Sequence, residues 1–273
     1  MKRPSAGRSC VALGLLMAFT TLARVARVDG LPYGPAFLAH LPTQGPILVA
    51  AALGFALALG AFLLGIVEDA AAGVLVALLA AGTQALAWQS PGDLGANGAT
   101  MLPGGALLAW WLARRAPGAP ETRAWRGIEA ACGLIAAGYF VAAVSKVWVS
   151  GFAWAGPGNI GLQIATQGSL VGEPFQSLRM QVASWRPVCG FIGVATLFLE
   201  GGALVYLWPS ARVRHAIALV VMHLGIGVLM GLHHYDWMFT ALGWALWSAG
   251  VGGAARVPGL ALRSASAVEP PLG

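Results

Sequence analysis

Long apolar stretches recur along the chain and are separated by short polar connectors. The clearest one runs from Gly45 to Val67 without a charged residue. A helix needs about 20 consecutive apolar residues to cross the hydrocarbon core of a bilayer. Only 10% of the 273 residues are charged, whereas soluble domains carry about 25%. These features predict an all-α, polytopic integral membrane helix bundle in contact with the lipid bilayer.

We expect about eight transmembrane helices in a single domain over residues 1–256, followed by a short disordered tail at 257–273. The expected spans are Cys10–Ala23, Gly45–Val67, Ala70–Trp88, Ala99–Ala113, Gly127–Val149, Pro187–Trp208, Ala216–Leu232 and Trp237–Gly252. Between them, Glu68 and Asp69 are expected to form a tight turn. The segment from Ser150 to Arg186 is expected to be an outer re-entrant or interfacial segment.

The first apolar run has two interpretations. A basic start followed by a short apolar core is typical of a cleaved signal peptide, with Thr21-Leu22-Ala23 as the small-residue cleavage site. We favour a retained first span that extends through Arg24 to Val28, with its arginines reaching toward the interface.

Basic residues concentrate in the connector from Arg114 to Arg126, which carries four arginines. Positive charge accumulates in the cytoplasmic loops of membrane proteins. With eight spans and a cytoplasmic N-terminus, this connector lies inside and the turn from His233 to Asp236 lies outside. We therefore expect a multi-pass protein of the cell (inner) membrane. The excess of basic residues follows from this topology and does not indicate a nucleic-acid partner.

The stretch Tyr139–Trp154 (YFVAAVSKVWVSGFAW) places an amine, Lys146, within the fifth span. A charge at this depth costs about 2.5–3.5 kcal/mol on insertion scales, so Lys146 needs a partner, a wet cavity or a neutral state. A lysine can lose its proton and act as a base, which arginine cannot do. The structural alternative is an anchor whose side chain extends to the interface. No other lysine occurs beyond position 2, which favours a functional amine.

Two further ionisable residues, Glu200 and His223, lie inside the predicted spans of the second half. Each has a structural alternative, an interhelical salt bridge for the acid and an interhelical hydrogen bond for the imidazole. Ionisable residues within membranes face the bundle interior or a water-filled cavity, so the two residues and Lys146 together predict one polar cavity. Tyr139, two helical turns before Lys146, lies on the same helix face.

The outer turn that follows the seventh span is expected to lie on the same side of the membrane as Lys146 and Trp154. Its residues are His233, His234, Tyr235 and Asp236. They are too close together in sequence to complete a metal site. The cysteines also lack the spacing of a metal site or a disulfide framework; they are Cys10, Cys132 and Cys189. We therefore predict no metal.

Four segments of the second half resemble a known membrane domain. They are YFVAAVSK (Tyr139–Lys146), Trp154, LFLEGG (Leu197–Gly202) and VVMHLGIGVLMG (Val220–Gly231). In this order they are similar to the horizontally transferred transmembrane (HTTM) domain, the membrane domain of the vitamin K-dependent gamma-carboxylase family. Ser145 stands where that family has a second lysine.

The resemblance implies a quinol-dependent reaction. It makes Lys146 the catalytic base that deprotonates a vitamin K-like hydroquinone, and His223 the catalytic residue that supports a developing oxyanion. The implied cofactor is a reduced quinone, with oxygen and carbon dioxide as co-substrates, and the substrate is an exported peptide or a small molecule. The supporting cavity residues would be Tyr139, Trp154, Glu200, His233, His234, Tyr235 and Asp236.

A non-enzymatic alternative remains open, an accessory membrane protein that binds an exported peptide or a partner membrane protein in peptide maturation, export or self-protection. The lysine and the downstream acid are also weakly similar to DoxX- and MauE-like four-helix membrane proteins of thiol and redox chemistry. The mid-span His223 favours the carboxylase-like interpretation over these. A small transporter is less favoured, because the polar residues concentrate in one half of the chain.

Overall fold

The computed structural model describes residues 5–25, 46–89, 94–168, 175–232 and 234–254. Within these ranges the chain forms helices and no strand. The α-helices are α1 (Ala6–Val25), α2 (Pro46–Leu64), α3 (Glu68–Gln89), α4 (Leu94–Ala113), α5 (Pro120–Ser150), α6 (Pro157–Gly168), α7 (Gln176–Ser184), α8 (Arg186–Gly201), α9 (Pro209–Met230) and α10 (Tyr235–Ala254). Two 3-10 helices, Gly151–Ala155 and Gly202–Leu207, follow α5 and α8 directly.

Proline and glycine set several of these helix ends. Pro120 and Pro209 stand in the first turn of α5 and α9, where a residue without a backbone N–H leaves no hydrogen bond unmade. Gly231 ends α9 in a left-handed conformation with φ 70°, and its N–H bonds the carbonyl of Gly227. Glycine adopts this conformation without strain and commonly terminates helices.

Three helical segments are long and apolar enough to cross a membrane among the residues described. They are Pro120–Ala155, Arg186–Leu207 and Pro209–Met230. Shorter apolar helices lie at Ala6–Leu22, Val49–Leu64 and Met101–Ala113. The prediction of an all-α chain with helices suited to a membrane is confirmed for these ranges, while the number of eight spans stays a prediction.

The prediction of a tight turn at Glu68 and Asp69 is wrong. The turn before α3 lies at Gly65–Val67, and Glu68 and Asp69 instead begin the helix. Carboxylates are favourable there because the N-terminus of a helix carries partial positive charge. The segment after Ser150 forms a 3-10 helix, α6 and α7 within the described residues, and its re-entrant or interfacial position stays a prediction. The predicted tail at 257–273 lies outside the described ranges.

The first described helix packs tightly against the last. A Cβ atom added to Gly7 would overlap the backbone of Trp247, and one added to Gly243 would lie 2.5 Å from the backbone nitrogen of Val11. Small residues allow helix backbones in a membrane protein to approach this closely. Helix α1 is therefore packed into the bundle against α10.

Ion pairs hold two arginines together at one end of the bundle. Glu68 accepts hydrogen bonds from Arg8 of α1 and from Arg114, just after α4. Helix α5 starts at this end of the bundle. An α-helix rises about 1.5 Å per residue, so Lys146 lies about 30 Å from Arg126 along the axis of α5. The basic connector and the candidate site thus lie toward opposite ends of α5.

Candidate functional site

An ion pair joins α5 to α8 at the position that sequence analysis singled out. Lys146 Nζ donates a hydrogen bond to Glu200 Oε2 across 2.6 Å. The Lys146 side chain is 24% exposed and that of Glu200 8% exposed, so the pair is largely shielded. The Lys146 ammonium also lies 5.2 Å from the centre of the Trp154 ring, within the range of a cation–π contact. The amine therefore has the partner that a charge at membrane depth requires.

A second hydrogen bond joins α5 to α9. The Tyr139 hydroxyl lies 2.8 Å from His223 Nε2, and both side chains are buried. The other ring nitrogen, His223 Nδ1, is buried and has no hydrogen-bond partner in the described part of the chain. In the tautomer protonated at Nδ1, Tyr139 donates to Nε2, and the Nδ1–H group has no acceptor among the described residues.

Both pairs line one cavity of about 520 Å³. This volume lies in the range of small-molecule sites, which are mostly apolar with a few placed polar groups. The walls follow that pattern, with the apolar and aromatic side chains of Trp154, Ile160, Ile192, Ile226, Met230, Leu232 and Trp237. The three ionisable residues that the sequence grouped, Lys146, Glu200 and His223, thus surround a single space.

The outer turn contributes to this cavity in part. His234 lines the cavity, and its ring makes an edge contact with that of His223 at 5.8 Å. Tyr235 and Asp236 begin α10 and are not among the lining residues. His233 lies outside the described residues.

Asp236 is buried next to the cavity, at the start of α10 and outside the three candidate spans. Burial raises the pKa of this carboxyl to about 7, although hydrogen bonds from the backbone N–H groups of Trp237 and Asp236 lower it in part. Its Oδ2 atom has no hydrogen-bond partner among the described residues. Asp236 therefore exchanges its proton near neutral pH.

Sequence reasoning missed three polar residues of the cavity wall, Ser145, Gln163 and Thr196. Thr196 lies one turn before Glu200 on α8, and this four-residue spacing was available in the sequence. Gln163 lies on α6, in the segment that was expected to be re-entrant or interfacial, and the sequence carried no signal for the direction of its side chain.

No group of three or more His, Cys, Asp or Glu side chains is arranged to hold a metal ion within the described ranges. Cys132 and Cys189 are buried free thiols, and Cys10 is a partly exposed one. The ionisable groups that line the cavity are the amine of Lys146, the carboxyl of Glu200, the imidazoles of His223 and His234 and the phenol of Tyr139.

No protein-family model, curated protein or solved structure matches the chain. The resemblance to the HTTM domain therefore stays a prediction from the four sequence segments described above. Each of those segments contributes at least one residue to the cavity wall. The residues include Lys146, Trp154, Glu200 and His223. What the site does is therefore argued below from its own residues.

Proposed function

We propose that this chain is a vitamin K-dependent gamma-carboxylase-like (HTTM) membrane protein that carries out quinol-dependent base chemistry on an exported peptide or a small molecule. Lys146 is the base and His223 supports negative charge on the ligand. The observation that carries the proposal is that the Lys146–Glu200 ion pair and the Tyr139–His223 hydrogen bond line the same apolar cavity.

The residues around the cavity fit a reduced quinone. A flat aromatic head group suits the Trp154 and Trp237 side chains, and the volume of about 520 Å³ suits a ligand of this size. The buried His223 Nδ1, without a partner among the described residues, is available to bond a ligand hydroxyl. When bound, a reduced quinone supplies an ionisable hydroxyl group and electrons for the reduction of oxygen, with carbon dioxide as the second co-substrate.

Lys146 and Glu200 together hold and move one proton. As an ion pair, the proton resides on Lys146 Nζ, and the 2.6 Å hydrogen bond to Glu200 Oε2 is the path by which it can pass to the carboxylate. The resulting neutral amine has a lone pair and accepts a proton from a hydroxyl group in the cavity. Arginine in place of Lys146 would keep the ion pair but could not lose its proton.

Tyr139 and His223 form the second polar pair of the cavity wall and supply a further hydrogen-bond donor. A hydrogen-bond donor that is already oriented toward developing negative charge stabilises it without reorganisation. The bond to Tyr139 fixes the His223 ring, and the contacts of that ring with His234 and Trp237 restrict it further. His223 is thus suited to bind the oxygen from which Lys146 removes the proton.

We further propose a multi-pass topology in the cell (inner) membrane with a cytoplasmic N-terminus. The clustering of Arg8 and Arg114 at one end of the bundle supports this orientation, because basic residues mark the cytoplasmic side. The cavity then lies toward the outer face, where an exported peptide can reach it.

The decisive experiment follows oxidation of a reduced naphthoquinone by the purified protein in lipid nanodiscs under oxygen. Lys146→Arg and Lys146→Ala should each lower the rate by about 100-fold or more, the usual contribution of a general base. Val141→Ala is a matched control on the same helix, because Val141 is exposed on its outer surface, and it should keep the rate. Full activity of Lys146→Arg would assign the amine a structural role and reject the proposal.

The second candidate is a non-enzymatic accessory protein for peptide maturation, export or self-protection. The ion pair itself favours it, because Glu200 already binds the Lys146 amine as in a structural salt bridge. In that case the wild-type protein would bind an exported peptide, and Lys146→Arg would bind it equally well. Wild-type protein that consumes no quinol but binds the peptide would favour this candidate.

A further inference from the structure

The ring of Trp154 lies over the amine of Lys146, although Trp154 lies beyond the end of α5. The ring centre is 5.2 Å from Lys146 Nζ, and the two residues are eight positions apart in the chain. Side chains that meet on one continuous helix are three or four residues apart, and eight residues would separate this pair by about 12 Å along the axis. The contact therefore depends on how the chain continues after α5, in the 3-10 helix Gly151–Ala155.

Gly151 ends α5 and allows this continuation. Its φ of 59° and ψ of −161° lie in a backbone region that is essentially confined to glycine. Its N–H group bonds the carbonyl of Val147 and so closes the last turn of α5. A residue with a side chain would be strained at this position, so the sequence itself favours the break between α5 and the 3-10 helix.

Two neighbouring helices hold the 3-10 helix in place. From the first turn of α6, Asn159 Nδ2 donates a hydrogen bond of 2.7 Å to the backbone carbonyl of Trp154. From α8, the buried Gly193 packs closely on Ala155, because an added Cβ atom would lie 2.5 Å from the Ala155 carbonyl oxygen. The backbone that carries the Trp154 ring is therefore held by both α6 and α8.

The ring and a carboxylate act on the same amine. Glu200 binds the Lys146 ammonium across 2.6 Å, and the face of the Trp154 ring attracts it electrostatically. All three residues line the cavity. Lysine has a long, flexible stem, and near the end of a membrane helix this stem can carry the charge to the interface instead. The two partners thus favour the orientation of the amine toward the cavity over this alternative.

We propose that Trp154 is a positioning residue that keeps the Lys146 amine at the cavity, and that Asn159 and Gly193 act through it by holding its ring in place. Without the ring, Glu200 alone opposes a turn of the lysine side chain toward the interface. The importance of this position for catalysis rests on the proposed function, in which Lys146 is the base. The position of the amine itself does not, because these contacts form within the chain without a quinol.

The rate of lysine acetylation tests this proposal without any quinol present. Lys2 is the only other lysine of the chain and serves as the internal reference. The purified protein in lipid nanodiscs is treated with a water-soluble acetylating ester, and peptide mass spectrometry follows both lysines. The rate at Lys146 relative to Lys2 should rise about two- to fivefold in Trp154→Leu, which corresponds to the loss of a cation–π contact at a partly exposed site. Trp154→Phe keeps an aromatic face and should raise the relative rate less.

Asn159→Asp separates positioning from simple shielding of the amine. Asn159 is not among the residues that line the cavity, and an ionised aspartate has nearly the same shape but cannot donate a hydrogen bond to the Trp154 carbonyl. An acid suits the first turn of a helix, so the variant should fold. It should raise the relative rate at Lys146 as well. In the Trp154→Leu background it should add nothing, because both changes act through one contact.

Gly193→Ala should also raise the relative rate, because its methyl group displaces the backbone of Ala155. Gly158→Ala is the matched control in the first turn of α6, since no atom of the described residues lies within 4 Å of its Cβ position, and it should leave the rate unchanged. Equal rates in wild type, Trp154→Leu and Asn159→Asp would overturn the proposal. Additive effects of these two changes, or equal increases in Trp154→Phe and Trp154→Leu, would overturn it as well. Because no quinol takes part, failure of the quinol oxidation assay would leave these rates unaffected.

Discussion

Lys146 and Glu200 are 54 residues apart in the chain, yet Nζ of the lysine lies 2.6 Å from Oε2 of the glutamate. The contact joins α5 to α8 at the edge of the cavity. Removing one partner leaves the other charge in a shielded site without its counter-ion, which is more unfavourable than removing both. The pair is therefore both a link between two helices and the chemical centre of the site.

The first prediction is a strong energetic coupling in this pair. In a double-mutant cycle with Lys146→Met and Glu200→Gln, we expect the coupling energy to be about 0.5–3 kcal/mol, as for residues in direct contact. The free energy of unfolding in detergent, measured for the wild type, both single variants and the double variant, gives this value. Strictly additive effects would show that the ion pair does not contribute to stability.

The second prediction concerns the hydrogen bond between Tyr139 and His223. Tyr139→Phe removes the hydroxyl and leaves Nε2 of a buried imidazole unpaired, so it should destabilise the protein by about 1–3 kcal/mol. It should also change the tautomer populations of His223, which nitrogen-15 NMR of labelled histidine reports. Tyr235→Phe, next to the cavity but not lining it, is the matched control. Unchanged His223 resonances in Tyr139→Phe would contradict this role.

The third prediction tests the close packing of α1 on α10. A Cβ atom at residue 243 would lie 2.5 Å from the backbone of Val11, so Gly243→Ala forces the helices apart and should cost about 1–3 kcal/mol. Gly225 has no atom within 4 Å of its Cβ position. Gly225→Ala should therefore be neutral or stabilise its helix by up to about 1 kcal/mol. Thermal unfolding measures the stabilities of the two variants. Equal stabilities would contradict the close approach of α1 and α10.

The fourth prediction is a pH dependence of stability that comes from Asp236. Its pKa rises from 3.8 to about 7 on folding because the carboxyl is buried. Between these two values the unfolded chain loses this proton while the folded protein keeps it, so stability falls as pH increases. Asp236→Asn should remove this part of the slope between pH 4 and 7. Unfolding measured across this range checks it, and parallel curves for wild type and variant would refute the assignment.

The fifth prediction concerns orientation. In a background without Cys10, Cys132 and Cys189, a cysteine at the exposed position 119 should react with a membrane-impermeant reagent from the cytoplasmic side only. A cysteine at the exposed position 152, near the cavity end of α5, should react from outside. Labelling of position 119 from outside would invert the proposed topology.

The sequence alone was enough to predict the helical membrane class and one face of the site. Apolar runs with few charges leave no alternative to helices for satisfying backbone hydrogen bonds in lipid. The seven-residue spacing of Tyr139 and Lys146 places both on one side of α5, and both line the cavity. These properties depend on local spacing and composition, which the sequence records directly.

Only the tertiary structure decided which residues meet across helices. The partners of Lys146 and Tyr139 come from α8 and α9, and Gln163 reaches the cavity from a helix that had no clear sequence signal. The four-residue spacing of Asp236 and Thr240 was visible in the sequence, but their burial was not. That burial depends on the rotation of each helix about its axis and on close contacts such as that of Gly14 with Thr240, which arise from packing between distant segments.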